Sequence, residues 1–210
     1  MPLILTMVPT AAFMIASACQ PMPLTKVHVV TVVEDTTVGT NYNASELNML
    51  SKRSGSKPKH PLYGFYASSV VYGIAVDIGN DRSDVCTGPL DIKVTITLAS
   101  RHIEIEREMA SDPCRFGAVL AHYQHHAEAD EATFRHYVAI ATTDLSRVPL
   151  PKLLRGEGAA GPNSESIART LKSNLKPVLV AMDTARKKTW DEVDSPAEIR
   201  RLRAPCDGRM

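Results

Sequence analysis

The chain has 210 residues, 44% of them hydrophobic and 22% charged, with a formal net charge of +1. That balance belongs to a globular domain with a real core and excludes a natively disordered chain. The basic residues are scattered, apart from Arg186 to Lys188 and Arg200 to Arg203 on expected helix surfaces, so nothing marks a nucleic-acid-binding face.

The opening stretch to Ala18 carries no charge and ends in Ala16-Ser17-Ala18 before Cys19. It has the form of a secretory apolar region with a small-residue cleavage site, although no Lys or Arg precedes it. It contains Pro9 and is short for a spanning helix. The expected organisation is a signal segment over residues 1–18, a linker over 19–25 and one domain over 26–210. The expected destination is the periplasm, the outer membrane or the outside of the cell. Two readings of Cys19 stand side by side. One is lipid anchoring, since the site resembles a bacterial lipoprotein signal with Ala16 where that pattern has Leu, Val or Ile. The other is a soluble secreted protein cut just before Cys19.

Lys26 to Val33 is rich in β-branched residues and reads as a strand. Asn43 to Lys52 can form a short helix, capped by Asn43 or Ser45, with Leu47 and Leu50 turned inward. Ser51 to Pro61 is a basic loop. Tyr63 to Ile78 fits one long bent strand or two short ones. Leu90 to Leu98 and His102 to Glu108 both alternate apolar and polar, and with Ala99 to Arg101 between them they read as a hairpin. Continuing that pairing outward sets Cys86 opposite Cys114, the disulfide expected in an exported protein, with Cys206 either free or joined to an unacylated Cys19. These elements make a small antiparallel sheet ahead of the long helices, an α+β arrangement.

Asp112-Pro113 supplies an N-cap and a first-turn proline, and a helix is expected to run from there to about Leu145. Its apolar stripe is Phe116, Leu120, Tyr123, Ala127, Phe134, Val138, Ala141 and Leu145. A Pro- and Gly-containing connector follows. A second helix, about Ser164 to Lys188, buries Ile167, Leu171, Leu175, Val178, Met182 and Ala185, and Pro177 should kink it. Ser195-Pro196-Ala197-Glu198 has the form of a capping box and starts a last short helix to about Arg203.

The chemistry-bearing feature is His122-Tyr123-Gln124-His125-His126. Imidazoles at i and i+4 project the same way and can share one metal ion, whereas His125 is turned roughly 100° from His126. A helix border with surface imidazoles has the same spacing. No nucleophile elbow and no phosphate-cradling loop after a strand competes with this pair.

From about Lys26 to Leu145 the chain resembles a bacterial domain family of unknown function described as secreted zinc-dependent proteases, whose members carry HExxH on a long helix. The resemblance lies in the small helix Ala44 to Leu50, the strand region around Gly64 and Tyr72, Cys86 before a strand pair, Cys114, and Val119-Leu120-Ala121-His122 leading into His126. It implies a zincin-like fold, zinc as the cofactor, His122 and His126 as ligands and a peptide or protein substrate. It also implies a missing part, because Tyr123 stands where the family has its general-base Glu. A phenol with an ordinary pKa near ~10 is a poor base at neutral pH. Weak or absent peptidase activity is therefore expected, with metal Lewis acidity or a nearby acid such as Glu128 doing the work if any hydrolysis occurs.

Asp130, one turn past His126, is the candidate third ligand on the helix itself. Along a straight helix it lies ~12 Å from His122, which makes Glu104 or Glu106, from another element, sterically easier. The competing function is a non-catalytic cell-envelope protein that binds through residues 51–61 or the sheet face, with incidental histidines.

Overall fold

The computed structural model describes residues 26–53, 63–78, 90–150, 164–203 and 206. The signal segment, the linker, Cys19, Cys86, most of the basic loop and the connector over 151–163 lie outside them. The elements in order are β1 (Lys26–Val33), β2 (Thr37–Gly39), α1 (Ala44–Arg53), β3 (Gly64–Ile78), β4 (Leu90–Ile105), a 3-10 turn (Arg107–Ser111), α2 (Pro113–Ser146), α3 (Ser164–Val193) and α4 (Pro196–Arg203). The protein is α+β.

The sheet is organised around β4. β3 pairs with it antiparallel along one edge, while β1 and then β2 pair with it parallel along the other. The sheet is thus mixed, not antiparallel throughout. The expected hairpin is absent, because the two alternating runs are halves of one 16-residue strand. The halves are out of phase. Ile92, Val94, Ile96 and Leu98 are fully buried at even positions, and Ile103 and Ile105 at odd ones. A bulge reconciles them: Ala67 to Ser69 on β3 faces His102 to Ala99 on β4, so β4 carries an extra residue, and Ser100 takes φ 54°. Glu34 closes the bulge, accepting from the Ser100 amide at 2.7 Å through its carboxylate and from Arg101 at 3.0 Å through its carbonyl.

The even-numbered half of β4 packs with Phe134, Val138, Ala141 and Leu145 of α2 and with Ile167, Leu171, Leu175, Val178 and Met182 of α3. Each of these side chains larger than Ala141 contributes ~1.5–3 kcal/mol of burial, which makes this the main stabilising element. Val30, Val32 and Val71, on the other sheet face, are exposed. A second cluster of Ile103, Ile105, Met109 and Val119, with Tyr63, Tyr66 and Tyr123 against it, lies beyond the bulge.

The caps follow the local sequence. Asp112 accepts from the amides of Cys114 and Arg115, both at 3.1 Å, and Pro113 occupies the first turn. Asn43 and Glu46 form a reciprocal capping box on α1. α3 passes through Pro177 without ending and extends beyond Lys188 to Val193.

Cys114 is bonded to Cys206, with a Cα–Cα distance of 5.8 Å and a sequence separation of 92. This replaces the expected bridge to Cys86. That pairing depended on residues 102–108 returning beside residues 90–98, and β4 instead runs straight on.

Candidate metal centre

α2 and α3 run antiparallel, and two stripes at i, i+4 spacing face each other: His122, His126 and Asp130 on α2, and Arg186, Trp190 and Asp194 at the end of α3. The facing contacts divide into a structural half and a half with free electron pairs.

The structural half is Asp130. It is fully buried, and its carboxylate accepts from Arg186 Nε at 2.5 Å and Nη2 at 3.1 Å, from Tyr66 Oη at 3.0 Å and from Ser68 Oγ at 2.6 Å. These contacts commit both carboxylate oxygens to Arg186, Tyr66 and Ser68, three of the four falling on Oδ2. Asp130 is therefore part of the helix-packing network, and the structure does not bring it to the histidines. Arg186 also lies 5.5 Å from the centroid of the Trp190 ring.

The other half comprises His122, His126 and Asp194. His126 Nε2 is 2.9 Å from Asp194 Oδ1, His122 Nε2 is 3.2 Å from the same oxygen, and the two nitrogens are 3.2 Å apart. Both imidazoles are only 5% exposed, whereas the Asp194 side chain is 57% exposed, so the group is walled on the protein side and open beyond Asp194. Burial disfavours the Asp194 carboxylate, but its contacts with the two imidazoles outweigh this and hold its pKa well below the usual range.

The spacing suits a small cation. If each imidazole donated Nε2–H to Asp194, the two nitrogens would meet with protons on both sides, a repulsive contact at this distance. A four-coordinate zinc with bonds of ~2.0–2.1 Å sets its ligands ~3.3 Å apart, close to all three edges of this triangle. Two nitrogens and one carboxylate oxygen also match the borderline donors that zinc takes. Among the described residues this is the one group of His, Cys, Asp or Glu donors compact enough to hold a metal.

Around it, Glu198 Oε1 lies 3.5 Å from His122 Nδ1, a buried nitrogen with no closer partner. Arg201 holds Glu198 with contacts of 2.6 and 2.7 Å. These contacts outweigh burial and, aided by His122, lower the Glu198 pKa to about 2. Ser195 Oγ accepts from the Glu198 amide at 3.3 Å, which is one half of the expected capping box. The other half is missing, because the Ser195 amide donates to the Glu192 carbonyl. The Glu198 carboxylate faces the histidine instead.

Tyr123 is tied to the backbone of β3. Its hydroxyl donates to the Gly64 carbonyl at 2.6 Å, and burial, reinforced by the charge of Asp194, raises its pKa above the ordinary tyrosine value. Its ring is stacked on His126 at 5.8 Å. Gly64 makes this possible, since a Cβ there would collide with the Glu104 carbonyl and the Tyr123 ring.

The remaining expected residues lie elsewhere. His125 and Glu128 are exposed, and Glu128, two residues past His126, is more than half a turn round the helix. Glu104 is fully buried between Asn41 and His102, with His102 Nε2 at 2.7 Å. Glu106 does not join the donor group. Asp194 lies 68 residues from His126, past the expected end of its helix, so helical spacing does not point to it. The sequence around Glu198 signals only a cap.

No protein-family model, curated protein or solved structure matches the chain.

Proposed function

We propose that the chain is an exported, zincin-like metalloprotein that binds zinc through His122, His126 and Asp194 and has little or no peptidase activity. The carrying observation is the triangle of three donor atoms on two facing helices, with edges of 2.9 to 3.2 Å. Zinc in such a site supplies Lewis acidity and lowers the pKa of a coordinated water. The residues present serve binding better than turnover. His122 and His126 are fixed by the buried helix, and Asp194 brings negative charge to the open side. The position from which a general base would act holds a phenol that donates its proton to a carbonyl. The resemblance to secreted HExxH proteases supports the same frame with the base removed. Support for export comes from the uncharged opening stretch with its small-residue site and from the Cys114–Cys206 disulfide, a bond that persists in oxidising compartments.

Elemental analysis of the purified protein tests this. About one zinc per chain is expected in the parent and none in His122→Ala/His126→Ala or in Asp194→Ala. Equal metal content in the parent and the histidine variant would refute the assignment. Chelator-sensitive casein cleavage by the parent would refute the low-activity half alone.

A further inference from the structure

We infer that Glu198 is a positioning residue for the metal centre, orienting His122 through Nδ1, and that the Cys114–Cys206 disulfide keeps it in place. The inference rests on the metal reading above and extends it to regulation of the same site.

His122 Nδ1 is buried and unpartnered, with Glu198 Oε1 at 3.5 Å facing it. A ligating histidine gives its second ring N–H to a carboxylate, carbonyl or water, which fixes the tautomer and strengthens the ligand. With the His122 proton on Nδ1 and pointing to Glu198, the Nε2 lone pair is left facing Asp194 and His126.

Ser195 and Glu198 have the spacing for reciprocal capping, as Asn43 and Glu46 achieve on α1. On α4 the glutamate does not return to the cap amide, and Arg201 holds it on the side of His122. A local hydrogen bond is forgone for an ion-pair contact across helices.

Asp194 directly follows the 30-residue α3, which is fixed by its buried face and by Arg186 on Asp130. Glu198 sits on α4, which is only 8 residues long and rests lightly on α2. Just beyond α4, Cys206 is bonded to Cys114 in the first turn of α2, two turns ahead of His122. The disulfide thus ties α4 to the helix that carries both imidazoles. Opening it frees Glu198 and leaves Asp194 in place.

The test measures zinc affinity by competition with a chromophoric chelator, using the full chain. Variants replace reductants, because thiols bind zinc themselves. Glu198→Gln is expected to weaken zinc binding ~10–100-fold, the usual loss for such an outer partner. Cys114→Ser/Cys206→Ser is expected to lose a similar factor. Adding Glu198→Gln to the cysteine variant should then change affinity less than about twofold, because the two act through one contact. Long-range nitrogen–proton spectra of the zinc form supply a readout that general loosening would not move. They should show the His122 proton on Nδ1, with resonances that shift in Glu198→Gln while those of His126 stay. Parent-like affinity in Glu198→Gln overturns the role of Glu198, and fully additive losses overturn the link to the disulfide. A parent that takes up no zinc refutes the metal reading itself, which separates the two failures. Glu198→Gln removes no cross-link, so it carries the test if the cysteine variant does not fold.

Discussion

Asp130 and Arg186 form a two-pronged ion pair between α2 and α3, with both side chains buried, one turn of helix away from the histidine pair. The pair sets the register of the two helices, and that register brings Asp194 to His122 and His126.

Arg186→Met should therefore destabilise the fold by ~3–5 kcal/mol, the cost of leaving a buried carboxylate without its partner. Urea denaturation checks this. A loss below ~1 kcal/mol would place the pair among those of surface strength.

Asp130→Asn should bind as much zinc per folded molecule as the parent, although the fold is weaker. Elemental analysis of the monodisperse fraction decides. Loss of the ion from well-folded Asp130→Asn would tie Asp130 to the metal site, as a ligand or through the register of the two helices.

Tyr123→Phe should cost ~0.5–1.5 kcal/mol, the net worth of the hydrogen bond to Gly64, and leave zinc content unchanged. Tyr123→Glu should gain no casein hydrolysis, because the new side chain enters a slot shaped for a phenol and lined by the Gly64 carbonyl. Activity appearing in Tyr123→Glu would show that the slot can admit a working carboxylate.

Glu104 gives a dependence on pH. Its burial favours the protonated form, but hydrogen bonds from Asn41 and His102 prevail and lower its pKa below the ordinary value. Its contribution to stability is therefore present above the unfolded value of ~4.3 and is lost as pH falls through the folded value. Glu104→Gln should be less stable at neutral pH and show a shallower acid-side decline. Parallel stability curves for the two proteins from pH 6 to pH 3 would remove Glu104 from the account, since ~4.3 lies within that window.

Local signals in the sequence were legible where one residue's chemistry decides the outcome. Asp112-Pro113 begins α2, Asn43 caps α1, and the stripe through Phe134, Val138, Ala141 and Leu145 meets the sheet. The hairpin was misread because a change in alternation phase looks like a turn. Ser100 takes a left-handed conformation without the Gly or Asn that would have marked it, and the strand continues. The strand directions and the disulfide partner depended on that point. The histidine pair was readable because both members share a helix. Asp194 was not, since its approach depends on helix packing and on five further residues of α3.

The bulge at Ser100 makes the inside and the outside of β4 change places half-way along its length. Deleting that one residue would keep every other side chain and most of the pairing, yet it would turn Ile103 and Ile105 toward the Glu104 side and swing Glu104 and His102 beneath α2. The strand therefore tolerates changes of letter far better than a change of count, and a shortened chain would lose the floor under Tyr123 before any metal donor had been touched.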